Sequence, residues 1–220
     1  MPHVIRAVLF DLDGTLLDTA PDLIGATNQV RIEQGREPLP YALVRTQVSH
    51  GSSGLIRLAF PDLSGAPLEE LRLRLLDLYS KHLAVGTKLF DGCQLVLDTL
   101  AARGLAWGIV TNKPGFLTAP LLATLGLDRV AGCVVSGDTL PQRKPHPAPL
   151  LLAASQLSIP AGQCLYVGDA ERDVQASRAA GMPVLVALYG YLGPDDNPTG
   201  WQADAQIDTP TQIIDWLDGK

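Results

Sequence analysis

The sequence lacks the features that mark several classes of protein. Its three cysteines are odd in number and never spaced as Cys-x-x-Cys, so neither a disulfide framework nor a zinc site is indicated. It has no dense run of lysine or arginine, few aromatic residues and a formal net charge of -6, which gives no electrostatic footprint for nucleic acid. No apolar run approaches the ~20 residues that a membrane helix needs. We therefore expect a cytoplasmic protein with buried cysteines and without nucleic-acid or membrane partners.

Short apolar, β-branched runs recur along the chain and predict parallel strands that are buried on both faces. They cover residues 4–10, 105–110, 132–135, 163–167 and 184–188, with a shorter edge strand at 205–207. Helical periodicity separates them at residues 94–103, 116–125, 148–157, 171–180 and 211–217, and most of these segments end near Gly or Pro. This alternation predicts an α/β fold with a doubly wound, Rossmann-like parallel sheet.

The pattern changes between Asp18 and about Val85, where helical periodicity dominates. Within residues 68–83 the large apolar side chains fall on one helical face, which indicates packing. We therefore expect an α/β core of residues 1–17 and 86–220, with a small helical cap domain of residues 18–85 inserted. Because open α/β sheets bind ligands beside the carboxyl ends of their strands, the insert is expected to lie over the site.

Polar side chains follow four of the predicted strands. Asp11 and Asp13 come directly after the first strand and are followed by Gly14 and Thr15. Later strand ends carry Thr111, Asn112 and Lys113, then Lys144, then Asp169 and Asp173. Since the carboxyl ends of parallel strands meet at one edge of a sheet, these groups are expected to gather there. Carboxylates, cations and hydroxyl donors in one crevice suit a phosphoryl group and a metal ion.

These residues belong to four motifs that occur in order along the chain. They read DLDGT at residues 11–15, VTNKP at 110–114, RKPHP at 143–147 and GDAERD at 168–173. Together they resemble the haloacid dehalogenase superfamily of phosphotransferases, and the insert resembles the small cap of its phosphoglycolate phosphatase-like members. The resemblance implies an enzyme that transfers a phosphoryl group through an aspartyl-phosphate with Mg²⁺ as cofactor.

The resemblance also assigns the catalytic roles. Asp11 would be the nucleophile, which divides one difficult displacement into two easier steps. Asp13 would be the general acid for the leaving alkoxide and then the general base for water. Thr111 and Lys144 would hold and neutralise the phosphoryl oxygens.

The implied metal site draws on the same strand ends. Asp11, Asp169 and the main-chain carbonyl of Asp13 would bind Mg²⁺, which prefers an octahedron of oxygen ligands. Asp173 would orient a metal-bound water. Among the remaining residues, a role in binding phosphate or substrate is expected for Gly14, Thr15, Asn112 and Lys113.

Substrate choice is expected to depend on the insert. The stretch SHGSSG at residues 49–54 has the small, hydroxyl-rich character of a helix start that offers N–H groups to an anion. Ser49, His50 and Gly51 are the candidate contacts there, with Arg57 nearby to meet a carboxylate or a polar sugar. An ordinary loop followed by a helix cap is the alternative.

The residue two positions after the nucleophile favours one reaction over others. In this superfamily an Asp at that position, here Asp13, is typical of phosphatases and phosphomutases, so phosphomonoester hydrolysis is favoured and a sugar phosphomutase is the alternative. Residues 190–198, GYLGPDDNP, with Trp201 resemble the tail of N-acetylmuramic acid 6-phosphate phosphatases. N-acetylmuramic acid 6-phosphate is therefore favoured over 2-phosphoglycolate as the substrate.

Two non-enzymatic alternatives stay open. A receiver-like signalling domain also gathers acids, a Thr and a Lys at strand ends, but the order of these groups differs and no receiver requires the large insert. A phosphate-binding protein without catalysis would not need the complete set of acids. We expect a monomer or a homodimer that acts on a small-molecule phosphate ester.

Overall fold

A computed structural model describes residues 4–219; residues 1–3 and 220, which belong to the predicted core segments, lie outside the described residues. The strands are β1 Ala7–Phe10, β2 Leu17–Asp18, β3 Lys88–Leu89, β4 Ala106–Val110, β5 Cys133–Val135, β6 Cys164–Gly168, β7 Val184–Ala187 and β8 Ala205–Ile207. The helices are α1 Ala20–Glu33, α2 Tyr41–Arg45, α3 Gly51–Ala59, α4 Gly65–Lys81, α5 Cys93–Ala102, α6 Gly115–Leu125, α7 Ala148–Gln156, α8 Glu171–Ala180 and α9 Gln212–Leu217.

Six strands form one parallel sheet in the order β5-β4-β1-β6-β7-β8. The chain runs outward from β1 through β4 to β5, and then returns to β6 on the other side of β1. The strand order therefore reverses beside β1 and β6, and open α/β sheets bind their ligands in the crevice at such a point. The predicted doubly wound α/β fold is confirmed.

Alternate residues of each central strand enter two separate apolar layers. In β1, Val8 and Phe10 pack with α5, α6 and α9, whereas Ala7 and Leu9 pack with α7 and α8. Both faces of the sheet are covered, which explains why the strand sequences are continuously apolar. The first strand begins at Ala7 rather than at the predicted Val4, because its pairing with β4 and β6 starts there.

The helices α1–α4, here called the helical insert (residues 20–81), pack against one another. Apolar side chains of α1, α3 and α4 share one cluster, with Val30, Leu55 and Leu75 fully buried. Leu117 and Tyr191 from outside the insert join the same cluster. The predicted apolar face of residues 68–83 is thus a packing face.

A short antiparallel ribbon connects the insert to the sheet. Leu17 pairs with Leu89 and Asp18 with Lys88, so β2 and β3 bring the two ends of the insert together. The Asp22 carboxylate then accepts hydrogen bonds from the Gly86 N–H at 2.7 Å, the Thr87 N–H at 3.0 Å and the Thr87 hydroxyl at 2.6 Å. The Asp22 side chain, near the start of the insert, therefore holds the segment through which the chain returns to the sheet.

None of the helices within residues 4–219 combines the length and apolar character that a membrane crossing requires. Cys93, Cys133 and Cys164 are free and buried, as expected from the sequence.

The contacts of Asp22 predict a loss of stability when its carboxylate is removed. Asp22→Ala leaves the donors of Gly86 and Thr87 without their acceptor, and we expect the free energy of unfolding to fall by about 2 kcal/mol. Urea denaturation measures the change. The matched control is Asp98→Ala, which removes an exposed carboxylate bonded to the side chain of Gln94. If both substitutions lowered the free energy of unfolding by the same small amount, Asp22 would not be what holds residues 86 and 87 against the start of the insert.

Candidate active site

Three carboxylates meet where β1 and β6 end. Asp11 follows β1, Asp169 follows β6, and Asp173 lies in the first turn of α8. One oxygen of each lies within 4.8 Å of the others, and all three residues are buried. Like charges this close repel each other strongly where water is excluded, so the cluster requires cations.

Burial raises the pKa of Asp169 to about 7, and the charges of Asp11 and Asp173 add to the effect. Burial also raises the pKa of Asp11, although Lys144 opposes the shift. Asp169 Oδ1 is buried without a hydrogen-bond partner in the described part of the chain. Because buried oxygens are normally satisfied and Mg²⁺ takes oxygen ligands, these residues fit a divalent metal ion.

Lys144 supplies the cation that the protein itself brings to this cluster. Its Nζ lies 2.8 Å from Asp11 Oδ1 and 2.7 Å from Asp173 Oδ1, and its side chain is completely buried. The same atom donates to the Tyr166 hydroxyl at 2.8 Å. Tyr166 stands within the apolar run of β6, so the sequence analysis did not single it out.

Thr111 and Asn112 lie at the end of β4 and line the cavity described below. The Asn112 amide donates to the Lys144 carbonyl at 2.9 Å and accepts from the Lys144 N–H at 3.1 Å. It thus anchors the main chain of Lys144, a role that the sequence analysis did not expect. The Thr111 hydroxyl accepts from the Lys113 N–H at 3.1 Å.

Asp13 has a separate set of partners. Its Oδ1 accepts from the Thr19 hydroxyl at 2.6 Å and pairs with Lys113 Nζ at 3.0 Å. The Lys113 ammonium also lies 4.5 Å from the centre of the Tyr79 ring, which belongs to the insert. Asp11 and Asp13 are therefore paired with different lysines, so the two carboxylates lie in different electrostatic environments.

Gly14 and Thr15 were expected to bind phosphate or substrate, but neither residue lines the cavity described below. Gly14 has a φ of +86°, and a Cβ there would collide with the Asp169 carboxylate, so glycine is required for the chain to pass. Thr15 is fully buried, and its carbonyl accepts from the Tyr189 hydroxyl at 3.1 Å. The structure therefore places Gly14 against the Asp169 carboxylate and Thr15 in the interior.

A cavity of about 450 Å³ lies between the sheet edge and the helical insert. Asp11, Asp13 and Lys113 contribute to its inner wall, and the predicted Ser49, His50 and Gly51 to its outer wall. The Ser49 hydroxyl donates to Asp169 Oδ2 at 2.7 Å.

Arg57 is exposed on α3 and does not line this cavity. Three other arginines do, and the sequence analysis assigned none of them a role: Arg72, Arg143 and Arg172. Arg143 and Arg172 lie within the RKPHP and GDAERD motifs, and this position in the sequence could have identified them as site residues.

Tyr191 connects the carboxylate cluster to the insert. Its N–H donates to Asp169 Oδ2 at 2.9 Å, while its hydroxyl donates to Asp18 Oδ1 at 2.8 Å and accepts from the Ala20 N–H at 2.9 Å. The Arg45 guanidinium lies 4.7 Å from the ring centre. Tyr191, in the segment that follows β7, therefore contacts both the Asp169 carboxylate and the start of α1.

A family model described as haloacid dehalogenase-like hydrolase matches residues 8–187. The chain belongs to this family. The matched segment contains all four motifs and every carboxylate of the cluster. The prediction of an enzyme is therefore confirmed, and the receiver-like and phosphate-binding alternatives are set aside.

Two relatives that match over more than 90% of both chains are named as phosphatases. The chain is 47% identical over 208 residues, 94% of each chain, to a phosphoglycolate phosphatase of Xanthomonas campestris. It is 42% identical over 215 residues, 97% of this chain and 95% of the other, to an N-acetylmuramic acid 6-phosphate phosphatase of Pseudomonas aeruginosa. The prediction of a phosphatase within this family is thereby confirmed.

The solved structures agree on the fold. A crystal structure of a predicted phosphoglycolate phosphatase from Haemophilus somnus superposes with a TM-score of 0.86 at 26% identity, covering 98% of this chain and 99% of the other. A hydrolase of the same superfamily from Geobacter sulfurreducens gives a TM-score of 0.75, with 98% of both chains covered and 24% identity.

The raised pKa of Asp169 predicts how the stability of the metal-free protein depends on pH. A carboxyl with a pKa of about 7 keeps a proton in the native state that the unfolded chain, with a pKa of 3.8, has lost. The native state then binds more protons, so the free energy of unfolding falls as the pH rises from about 4 to about 7. We expect the Tm in EDTA to fall over this range.

Asp169→Asn is the control for this experiment, because the amide does not titrate. Its Tm is expected to depend less on pH, and Mg²⁺ is expected to raise the Tm of the unaltered protein but not that of the variant. Parallel pH profiles of the two proteins in EDTA would show that another group is responsible.

Proposed function

We propose that this chain is a Mg²⁺-dependent phosphomonoesterase that acts through an aspartyl-phosphate on a small phosphorylated metabolite. N-acetylmuramic acid 6-phosphate is the favoured substrate and 2-phosphoglycolate the second candidate. The arrangement of Asp11 beside the orphaned Asp169 oxygen, with Asp13 paired separately in the same cavity, supports the proposal most strongly.

The contacts of Asp11 suit a nucleophile. Its Oδ1 accepts from the Leu12 N–H at 2.7 Å and pairs with Lys144. Within residues 4–219, both polar contacts of the Asp11 carboxylate involve Oδ1, so Oδ2 is available to attack phosphorus. The attack forms a bond from Oδ2 to phosphorus and breaks the bond from phosphorus to the ester oxygen of the substrate.

The contacts of Asp13 suit an acid and base. Thr19 and Lys113 hold its Oδ1, which leaves Oδ2 to carry a proton. Asp13 gives that proton to the departing alkoxide and takes one from the water that cleaves the aspartyl-phosphate. The substrate leaves as an alcohol, and phosphate leaves after the second step.

Asp11 and Asp169, with the carbonyl of Asp13, would hold Mg²⁺, which would supply positive charge to the phosphoryl oxygens. Asp173 keeps Lys144 in place through their 2.7 Å ion pair. Lys144 and Thr111 lie where they would hold the remaining phosphoryl oxygens.

The size and lining of the cavity favour the sugar ester. A volume of about 450 Å³ lies within the range of sites that enclose drug-sized ligands. A two-carbon acid phosphate would fill only a small part of it. Apolar side chains such as Leu76 and Leu117 line the wall and suit the faces of a sugar ring.

Replacement of the nucleophile tests the proposed mechanism. Asp11→Asn is expected to lower kcat by about 10³-fold or more while the protein stays folded, because the amide cannot form the acyl-phosphate. Phosphate release and thermal melting are the measurements. The control is Asp98→Asn, on an exposed carboxylate of α5 outside the four motifs. Substantial turnover by the folded Asp11 variant would overturn the assignment.

A substrate panel tests the proposed activity. kcat/KM is measured with Mg²⁺ and with EDTA for N-acetylmuramic acid 6-phosphate, 2-phosphoglycolate, a hexose 6-phosphate and p-nitrophenyl phosphate. We expect the highest value for the muramic ester and no turnover in EDTA. A higher value for 2-phosphoglycolate would reverse the order of the two candidates, and undiminished turnover in EDTA would exclude the metal-dependent route.

A further inference from the structure

Arg72 is an arginine of the insert that is held in position at the wall of the cavity. It lies on α4, and its Nε and Nη2 donate to the Glu69 carboxylate at 2.7 and 2.6 Å. Its Nη1 points to the Ser52 hydroxyl at 3.3 Å. Arg72 and Ser52 line the cavity, whereas Glu69 does not and is exposed to solvent. The ion pair with Glu69 thus fixes the guanidinium from the solvent side.

The other cations of the cavity differ in how far they are already paired. Lys144 pairs with two carboxylates of the cluster, and Lys113 pairs with Asp13. Arg172 interacts electrostatically with the carboxylates of the cluster. The Arg143 side chain lines the cavity and forms no hydrogen bond or ion pair within residues 4–219. Positive charge therefore remains for an anionic group of the substrate beyond the phosphate.

Residues 49–52, which lead into α3, connect this charge to the carboxylate cluster. Ser49 reaches the Asp169 carboxylate, and Ser52, three residues further on, reaches Arg72. Two serines of one short segment therefore contact the Asp169 carboxylate at one end and the Arg72 guanidinium at the other. A substrate whose phosphate lies at the carboxylate cluster would extend along this segment toward Arg72.

We propose that Arg72 and Ser52, with Arg143 on the core side of the cavity, form a subsite for a carboxylate of the substrate. The substrate is then a phosphate monoester of a carboxylic acid. This inference rests on the proposed function, and both candidate substrates named there share that feature. A planar guanidinium and a hydroxyl suit a carboxylate, and an arginine fixed in advance loses little freedom when it binds.

Pairs of esters that differ in the carboxylate test the subsite. N-acetylmuramic acid 6-phosphate is compared with N-acetylglucosamine 6-phosphate, which lacks only the lactyl group, and 2-phosphoglycolate with ethyl phosphate. In the unaltered enzyme with Mg²⁺, we expect kcat/KM to favour the acid of at least one pair by about 10-fold or more. In Arg72→Met and in Arg143→Met, we expect this ratio to fall to less than about threefold, mainly through the KM of the acid.

Two further variants make the result specific. Arg57→Met, on the exposed face of α3, is the matched control and should keep the original ratio. Glu69→Gln keeps Arg72 but loosens its fixation, so it should lower the ratio by a smaller factor, and it serves as the test if Arg72→Met does not fold. Thermal melting is measured for each variant.

The outcomes separate this inference from the proposed function. A ratio near one in the unaltered enzyme, or a ratio that survives Arg72→Met and Glu69→Gln, would overturn the carboxylate subsite while leaving the phosphatase intact. A preference for a sugar bisphosphate over both acids would overturn it in favour of a second phosphate. No hydrolysis of any ester by the unaltered enzyme would instead overturn the proposed function itself.

Discussion

Four carboxylates stand at one edge of a parallel sheet in surroundings that largely exclude water, and the charges that balance them determine the rest of the site. Lys144 lies between Asp11 and Asp173, and Lys113 lies against Asp13. An unpaired buried charge is strongly destabilising, so neither lysine is free to serve only the substrate. Within residues 4–219, Asp169 pairs with no lysine and its Oδ1 has no hydrogen-bond partner, so this oxygen is suited to a metal ion.

The sheet topology explains how residues far apart in sequence reach this edge. Strands β1, β4 and β6 are neighbours, and their carboxyl ends deliver the first, second and fourth motifs directly. The third motif follows β5 at a distance and is fastened to the second by the Asn112 amide. The insert leaves the core between the first motif and the remaining three, so its helices face the crevice from the opposite side.

The sequence was sufficient to predict the sheet, because strands buried on both faces are apolar without interruption. It was also sufficient to predict the carboxylates, because their motifs are specific. It did not predict β2 and β3, since two-residue strands have no periodicity to detect. Arg57 was expected near the substrate, but Leu55, Ile56 and Ala59 occupy the buried face of α3 and turn it outward. Arg72 could not be distinguished from solvated arginines, because its position depends on how α4 packs.

Tyr191 constrains the position of the start of the insert, whereas the later helices of the insert are free to diverge in sequence. A rigid ring joins the N–H beside Asp169 to the hydroxyl beside Asp18 and Ala20, so the entry to the insert lies at a fixed distance from the Asp169 carboxylate. Arg72, on α4, lies more than fifty residues beyond that entry in sequence. Over evolution, the later helices of the insert can therefore be remodelled while the geometry around the Asp169 carboxylate is inherited unchanged.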